Sequence, residues 1–231
     1  MTDETRTLVV TGASRGLGAH VAGQAHAAGY RVIGLARWPD DNRPYEMRAC
    51  DVTDSQQVEA DFKELKRDPE FYGVVNAAGI ASMNLVLTTP FATMERVVAT
   101  NLLGTMYASA SAGRVLARRK RGRIVNFSTI AVQLGLKGEA VYVASKSGVE
   151  GFTRAFAREM ANFGVTVNAL APGPIDTDLI RGVDQTQINH VVDQQVIPEM
   201  ATPETVWNLV SYLLEDRAAA LSGQVLNVQG A

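Results

Sequence analysis

Short apolar, β-rich runs alternate along the sequence with longer stretches suited to helices, and this alternation restricts the folds that the chain can adopt. The runs cover residues 8–10, 31–35, 73–76, 124–127, 165–170 and 224–228. The stretches suited to helices cover residues 16–28, 54–66, 90–119, 141–163 and 203–216. Apolar strands separated by helices are typical of a parallel sheet that is covered on both faces. Right-handed crossovers then predict a doubly wound parallel α/β sheet.

Length and composition fit a single domain. The 231 residues suffice for one hydrophobic core, and 46% hydrophobic with 20% charged residues is an ordinary globular balance. A formal charge of -2 gives no general attraction to nucleic acid or to a membrane surface, so a small molecule is the expected partner. The sequence has one cysteine, Cys50, and shows neither a membrane span nor a signal peptide, which predicts a cytoplasmic protein.

A glycine-rich stretch follows the first run and leads into the first helical stretch. The residues expected to contact a cofactor there are Gly12, Ser14, Arg15, Gly16, Leu17 and Gly18. Glycines allow the backbone to turn sharply and to approach a pyrophosphate, which binds the free N–H groups at a helix start. The spacing is G-x-x-x-G-x-G rather than the G-x-G-x-x-G fingerprint, so a simple tight turn is the alternative. Its place after the first strand favours a nucleotide site.

The second run is followed by Arg37 and lacks the acidic residue with which a NAD-selective site binds the ribose 2′-hydroxyl. Arg37 and Arg15 can instead hold a 2′-phosphate through charge-assisted hydrogen bonds, which predicts NADP(H); two solvated surface arginines are the alternative. Further cofactor contacts are expected after the third and fourth strands, at Asp51, Val52, Asn76, Ala77, Ala78 and Gly79. Ligands bind at the carboxyl ends of strands in such sheets, so these residues are expected to frame the adenine and the ribose.

Tyr142 and Lys146 stand four residues apart at the start of a predicted helix, which places them on the same helix face. A phenol with an ordinary pKa near 10 exchanges protons poorly at neutral pH. A nearby ammonium group favours the phenolate, so we expect Lys146 to lower the pKa of Tyr142. The two residues are the candidate acid/base pair, although one Tyr-x-x-x-Lys sequence by itself carries little weight.

Several motifs occur in order along nearly the whole chain. They are Thr11-Gly12…Gly16-x-Gly18, Asn76-Ala77-Ala78-Gly79, Asn101, Ser128/Thr129, Tyr142-x-x-x-Lys146 and Pro172-Gly173. This set resembles the short-chain dehydrogenase/reductase family, and it is most similar to its 3-oxoacyl-acyl-carrier-protein reductases. The resemblance implies a Rossmann-like fold, a homotetramer in which helix 141–163 packs against its copy, and NADPH-dependent reduction of a ketone such as a 3-oxoacyl thioester. Another small ketone or secondary alcohol, or a non-catalytic nucleotide-binding role, remains an alternative.

The resemblance also implies a role for each matching residue. Tyr142 would donate a proton to the carbonyl oxygen, and Lys146 would also hold the nicotinamide ribose. Asn101 would anchor a water that connects Lys146 to a proton relay, and a locally bonded asparagine is the alternative. The wall of the nicotinamide site is expected at Pro172, Gly173, Ile175 and Thr177.

The hydroxyl that binds the substrate oxygen has two candidates. The family places it thirteen residues before the tyrosine, and Thr129 lies thirteen residues before Tyr142 whereas Ser128 lies fourteen. Thr129 is therefore favoured, and Ser128 is expected to turn toward the backbone or the core. Both hydroxyls offer the same donor and acceptor capacity.

Three other features receive simpler interpretations. The three histidines, His20, His26 and His190, lack the spacing of a metal site. The basic run at residues 118–123 fits a solvated helix end, with attraction of an acidic carrier protein as the alternative. Residues 178–201 show no clear period and are expected to form a substrate lid.

Overall fold

The computed structural model describes residues 5–177, 180–181 and 183–230, and within them seven strands form one parallel sheet. The strands are β1 (Thr7–Thr11), β2 (Arg31–Ala36), β3 (Glu46–Ala49), β4 (Phe71–Asn76), β5 (Gly122–Phe127), β6 (Val165–Ala171) and β7 (Val225–Asn227). Their order across the sheet is β3-β2-β1-β4-β5-β6-β7. The predicted doubly wound sheet is confirmed.

Helices connect the strands across both faces of the sheet. They are α1 (Gly16–Ala27), α2 (Ser55–Glu64), α3 (Phe91–Val98), α4 (Gly104–Arg119), α5 (Ala131–Leu134), α6 (Ala140–Met160), α7 (Gln185–Asp193) and α8 (Pro203–Leu214). Side-chain caps fix several starts: the Asp54 carboxylate accepts from the N–H groups of Gln56 and Gln57 before α2, and Thr202 accepts from Thr205 N before α8. A π-helical turn, Ala99–Leu103, joins α3 to α4.

The core consists of two apolar layers, one on each face of the sheet. Alternate residues of β1 divide between them, because Leu8 and Val10 point to one layer and Val9 to the other. Helices α1 and α8 cover the first layer, whereas α2, α4 and α6 cover the second. Every residue of β1, β4, β5 and β6 is buried, which explains why their sequences are mostly apolar.

Three elements were absent from the sequence-based prediction: β3, the short helix α5 and α7. The runs of apolar residues did not include β3, because this edge strand reads Glu-Met-Arg-Ala and is only partly buried. The segment 178–201 contains α7 rather than only irregular chain, although residues 178, 179 and 182 lie outside the described part. The predicted helix 90–119 contains the π-helical turn in its middle.

The sheet topology decides where a ligand can bind. Strand order reverses between β1 and β4, which are neighbours in the sheet although two strands separate them along the chain. The connections after these strands leave toward opposite faces, and a crevice opens at their carboxyl ends. Within the described residues, no helix has the length and apolarity needed to cross a membrane.

Candidate active site

A cleft of about 1310 Å³ lies at the carboxyl ends of the strands. Most residues predicted from the sequence line it: Gly12, Ser14, Arg15, Gly16, Leu17, Gly18, Arg37, Asp51, Val52, Ala77, Ala78, Gly79, Ser128, Thr129, Tyr142, Lys146, Pro172, Gly173, Ile175 and Thr177. Two predicted residues, Asn76 and Asn101, are not among the lining residues. The cleft is long enough to contain both a nucleotide end and a catalytic end.

The glycine-rich turn after β1 packs tightly against the loop after β4. Gly12 has φ +71°, and a Cβ on it would lie 2.8 Å from the backbone of Ala78. A Cβ on Gly18 would lie 2.3 Å from the carbonyl oxygen of Gly12. Larger residues are therefore excluded here, and the first N–H groups of α1, which have no partner within the helix, stay accessible at the cleft. This cradle suits a phosphate group.

Arginines surround the nucleotide end of the cleft. Arg15 and Arg37 are exposed, line the cleft and form no ion pair with a carboxylate of the described residues. Asp40 lines the same end, but its carboxylate pairs with Arg43 at 2.9 Å. Arg43 also donates to the carbonyl oxygen of Ser14 at 2.7 Å, a contact that the sequence did not predict. The net positive charge favours an anionic group such as a phosphate.

Asp51 lies at the adenine side of the cleft, after β3. Its Oδ1 accepts hydrogen bonds from the backbone N–H of Thr53 at 2.9 Å and from the Thr53 hydroxyl at 2.8 Å. These bonds hold the carboxylate in place. Val52 lines the cleft beside it. Both residues line the cleft, and their contact with an adenine remains a prediction.

Asn76 lies elsewhere than expected. Its side chain is buried away from the cleft, and its Nδ2 donates to Ser109 Oγ at 2.9 Å and to Asn126 Oδ1 at 2.8 Å. Asn126 in turn donates to Thr153 Oγ1 at 2.9 Å. This polar network ties β4 and β5 to α4 and α6, because buried amides need partners. The expectation of a direct cofactor contact by the Asn76 side chain is corrected accordingly.

Asn101 occupies the π-helical turn and is fully buried. Its Oδ1 accepts from Ile80 N at 2.8 Å, and its Nδ2 donates to Ile80 O at 2.9 Å and to Ser145 Oγ at 3.0 Å. A Cβ on Gly79 would lie 3.4 Å from Asn101 Oδ1 and 3.6 Å from Lys146 Nζ, so these groups are near neighbours. The side chain thus fixes the loop after β4 beside Lys146. The water relay remains a prediction.

Tyr142 and Lys146 are both buried on the same face of α6. The Nζ atom of Lys146 donates to the carbonyl oxygen of Phe127 at 2.8 Å and lies 6.0 Å from the centre of the Tyr142 ring. Burial lowers the pKa of Lys146 to about 8, because the charged form loses hydration. The lysine therefore loses its charge more readily than a solvated one.

The expected decrease in the pKa of Tyr142 is wrong. Burial raises the pKa, and the nearby Glu139 carboxylate raises it further, whereas a hydrogen bond with Thr129 lowers it. A close ammonium group would favour the phenolate, but burying a phenolate is unfavourable in itself and here outweighs that effect. Here the ammonium group of Lys146 is directed to the carbonyl of Phe127 instead.

The two adjacent hydroxyl residues after β5 have different partners. The Ser128 hydroxyl donates to Glu150 Oε1 at 2.8 Å and is buried. Thr129 lines the cleft and lies close enough to the Tyr142 hydroxyl to lower its pKa. This geometry favours Thr129 as the partner of a reacting oxygen, which remains a prediction.

The segment after β6 forms one wall of the cleft. The carbonyl of Pro172 accepts from Ile130 N at 3.1 Å, and Ile175 forms a β-bridge with Ala201. A Cβ on Gly16 would lie 4.0 Å from the Cβ of Thr177, which places Thr177 over the glycine-rich turn. The hydroxyl of Thr177 is thus near the expected pyrophosphate position.

The substrate end of the cleft contains residues of the segment 178–201 and others that the sequence analysis did not name. One side is formed by Ile180, Val183, Thr186, Gln187, Ile188, His190, Val191 and Gln194, in or next to α7. Other lining residues at this end are Met83, Leu134, Leu136, Lys137 and Glu139. Only the position of the first group in the aperiodic segment 178–201 could have suggested them, and their role as a lid remains a prediction.

The basic run and the histidines mostly have local partners. Arg119 donates to Phe71 O at 2.9 Å, Arg121 lies 3.7 Å from Glu70, and Arg123 is buried beside Asp216. His20 contacts Glu204 at 3.4 Å, and no group of three possible metal ligands occurs in the part of the chain that the structure describes.

Comparison with known proteins identifies the family. Residues 12–230 match the family described as enoyl-(acyl carrier protein) reductase, which is a group of short-chain dehydrogenases/reductases. The chain belongs to the short-chain dehydrogenase/reductase family, and it is an oxidoreductase of that family.

Curated relatives show the same pattern over the full chain. The 3-oxoacyl-[acyl-carrier-protein] reductase FabG of Vibrio cholerae is 33% identical over 98% of this chain and 97% of its own length. The 3-oxoacyl-[acyl-carrier-protein] reductase FabG of Escherichia coli is 30% identical, over 100% of this chain and 98% of its own length. The 3-oxoacyl-[acyl-carrier-protein] reductase MabA of Mycobacterium tuberculosis is 32% identical, over 98% of this chain and 92% of its own length.

Solved structures are similar throughout the fold. Ligand-free aldohexose dehydrogenase from Thermoplasma acidophilum is 28% identical, covers 98% of this chain and 93% of its own, and superposes with a TM-score of 0.88. A short-chain type dehydrogenase/reductase from Mycobacterium ulcerans has a TM-score of 0.90 at 27% identity, over 96% and 88% of the two chains. Relatives with different names thus share one architecture, so the site must decide the substrate.

Proposed function

We propose that this protein reduces a ketone to a secondary alcohol with NADPH, and that its substrate is a 3-oxoacyl thioester. The observation that carries the proposal is the contact between Thr129 and Tyr142 at the catalytic end of a cleft whose other end suits a dinucleotide. Two hydroxyl groups that converge in this way can bind one carbonyl oxygen. The curated relatives support the choice of a 3-oxoacyl group.

The residues of the cleft fit a nicotinamide dinucleotide. Gly12 and Gly18 leave space that any side chain would fill, as a backbone approach to a pyrophosphate requires. Arg15 and Arg37 would bind a 2′-phosphate, which supports NADPH over NADH. Ile175 would present backbone groups to the carboxamide. The cofactor, when bound, supplies the hydride.

Tyr142 is the proposed proton donor. The carbonyl carbon gains hydride while its oxygen gains the proton of the Tyr142 hydroxyl, so the product is a neutral secondary alcohol. The raised pKa of Tyr142 keeps the phenol protonated and able to donate before substrate binds. Thr129 would donate a second hydrogen bond to the developing oxyanion.

Lys146 and Asn101 would support the proton donor. Lys146 would hold the nicotinamide ribose, and its positive charge would favour the phenolate left after proton transfer. The Phe127 carbonyl orients the ammonium group. Asn101 holds the loop beside Lys146 and would anchor the water that returns a proton.

A substrate panel tests this proposal. Acetoacetyl thioesters, unrelated ketones and a crotonyl thioester are each assayed with NADPH and with NADH. We expect ketone-dependent oxidation of NADPH that is fastest with the acetoacetyl thioester. Reduction of the crotonyl thioester alone would instead favour the enoyl chemistry in the family description. Cofactor binding without oxidation by any compound would indicate the non-catalytic alternative.

We also propose a homotetramer in the cytoplasm. Phe91, the first residue of α3, is 80% exposed, and Leu87 just before this helix is 94% exposed. Apolar side chains of this size are commonly covered in an assembly. Helix α6 would pack against its copy. Light scattering at micromolar concentration should give about four times the monomer mass, and a monomer would contradict the proposal.

A further inference from the structure

Glu150 is a buried carboxylate on the helix that carries Tyr142 and Lys146. It follows Lys146 by four residues, so the two side chains lie on the same face of α6. The residue is 8% exposed, and its Oε1 accepts a 2.8 Å hydrogen bond from the Ser128 hydroxyl. A buried carboxylate is costly without such a partner, so the two side chains depend on each other.

Stability alone does not account for a carboxylate at this position. The second partner of Glu150 is Arg154, which lies 3.2 Å from Oε2 and is more than half exposed. An ion pair of this kind contributes little to stability, and an apolar side chain in the same space would avoid the cost of desolvation. The hydrogen bond to Ser128 is therefore the contact that distinguishes Glu150 from an apolar residue.

This bond belongs to a series that fixes the end of β5 against α6. Three consecutive residues of the chain each hydrogen-bond to a side chain of the helix. The pairs are Asn126 with Thr153, Phe127 with Lys146 and Ser128 with Glu150, at 2.9, 2.8 and 2.8 Å. The backbone N–H of Ser128 also donates to Leu170 O of β6 at 2.7 Å. Ser128 is thus held through both its main chain and its side chain.

The next residue is Thr129, whose hydroxyl is the proposed partner of the substrate oxygen. Its Oγ1 accepts from Ala131 N at 3.3 Å, which leaves the hydroxyl hydrogen available to donate into the cleft. Threonine has few χ1 rotamers, so the direction of this O–H group follows the local backbone. A rigid, planar peptide bond joins Ser128 to Thr129, and a displacement of the first residue therefore displaces the second.

We infer that Glu150 is a positioning residue for the reaction: by holding the Ser128 hydroxyl, it fixes the backbone from which Thr129 presents its own hydroxyl to the substrate oxygen. The inference rests on the proposed ketone reduction and adds Glu150 to the residues on which the rate depends. Displacement of a group by about 1 Å from its productive position is enough to slow a reaction markedly.

Steady-state kinetics with the acetoacetyl thioester test the inference. Glu150→Leu removes the acceptor, so kcat should fall about fivefold or more while KM changes less than about twofold. Glu150→Gln retains an oxygen that accepts from Ser128, and kcat should stay within about twofold of the wild-type value. Ser128→Ala breaks the same bond from its other partner and should give a loss similar to that of Glu150→Leu. Glu159→Leu, an exposed change on the same helix, should leave kcat unchanged.

A second background separates positioning from a general effect on the fold. In Thr129→Val the positioned hydroxyl is absent, so adding Glu150→Leu should lower kcat no further. A structural defect would instead lower kcat by the same factor in both backgrounds, and that result would overturn the inference. Wild-type kcat in Glu150→Leu alone would overturn it as well.

A measurement without turnover separates the inference from the proposed function. In protein labelled with ¹³C-methyl threonine, the Thr129 signal is the one that disappears in Thr129→Val, and its three-bond couplings report χ1. We expect these couplings to change in Glu150→Leu and in Ser128→Ala but not in Glu150→Gln. This result supports the inference even when no ketone is reduced, in which case only the proposed function fails. Wild-type couplings in both Glu150→Leu and Ser128→Ala would show that Thr129 is positioned without Glu150.

Discussion

The hydroxyl of Ser128 donates a 2.8 Å hydrogen bond to the carboxylate of Glu150, so it is directed away from Tyr142. Glu150 follows Tyr142 by eight residues on α6 and is held on its other side by Arg154 at 3.2 Å. Thr129, the next residue, lines the cleft and is close enough to Tyr142 to lower the pKa of its hydroxyl. Adjacent side chains of an extended chain point in opposite directions, which explains why only one of the two hydroxyls reaches the proton donor.

The first prediction separates these hydroxyls. Thr129→Val removes the donor and keeps the side-chain shape, so kcat should fall by about 10² or more. Thr129→Ser should restore most of the activity. Ser128→Ala should change kcat much less, although it leaves Glu150 with one partner fewer. Steady-state assays with the acetoacetyl thioester measure kcat for each variant. A larger loss of kcat in Ser128→Ala than in Thr129→Val would assign the role to Ser128.

The second prediction concerns the glycine-rich turn. An alanine at position 12 would combine a positive φ with a contact of 2.8 Å to the Ala78 backbone, so Gly12→Ala should destabilise the protein and weaken NADPH binding. Gly23→Ala is the matched control, since no atom lies within 4 Å and the residue is inside α1. That change should stabilise by about 0.5–1 kcal/mol. Urea unfolding and cofactor titration measure both effects, and equal behaviour of the two variants would refute the packing argument.

The third prediction concerns cofactor choice. NADPH should exceed NADH by at least about tenfold in kcat/KM, which corresponds to roughly 1.4 kcal/mol. Arg37→Asp should invert the preference, because a carboxylate repels the 2′-phosphate and can bind a 2′-hydroxyl. Arg67→Asp makes the same charge change at an exposed position outside the cleft and should leave the preference unchanged. An NADH preference in the wild-type protein would contradict the assignment.

The fourth prediction concerns pH and stability. The pKa of buried Lys146 is about 8, below the value of roughly 10.4 for an unfolded lysine. Between these values the unfolded chain binds more protons, so this group makes the protein more stable as pH rises. From about pH 7 to about pH 9.5, the wild-type protein should gain about 2 kcal/mol in the free energy of unfolding relative to Lys146→Met.

Chemical denaturation at both pH values measures this difference. Lys63→Met, a change of an exposed lysine on α2, provides the reference and should show no comparable dependence on pH. A difference between the wild-type protein and Lys146→Met that stays constant with pH would show that Lys146 is not desolvated.

Sequence patterns predicted the parts of the fold that are buried on both faces. The strands β1, β4, β5 and β6 are mostly apolar, whereas the edge strand β3 contains two charged residues among four and gives a weaker signal. Helix α7 was missed because its segment shows little regular alternation. The motifs placed Tyr142, Lys146 and Thr129 near one another.

Packing between distant parts of the chain determines side-chain directions and pKa values that the sequence motifs do not reveal. Asn76 belongs to the motif after β4, yet its side chain points into a buried amide network. The pKa of Tyr142 depends on desolvation and on Glu139, and neither can be judged from the spacing of two residues. Glu139 itself lies outside every motif.

The central claim is that Tyr142 supplies the proton, and Tyr142→Phe tests it most directly. This change removes the hydroxyl and retains the ring, so NADPH should bind with nearly the wild-type Kd. Oxidation of NADPH in the presence of the acetoacetyl thioester should fall by about 10² or more at every pH, because the carbonyl oxygen has lost its proton donor. Turnover close to that of the wild-type protein across the pH range would contradict the mechanism.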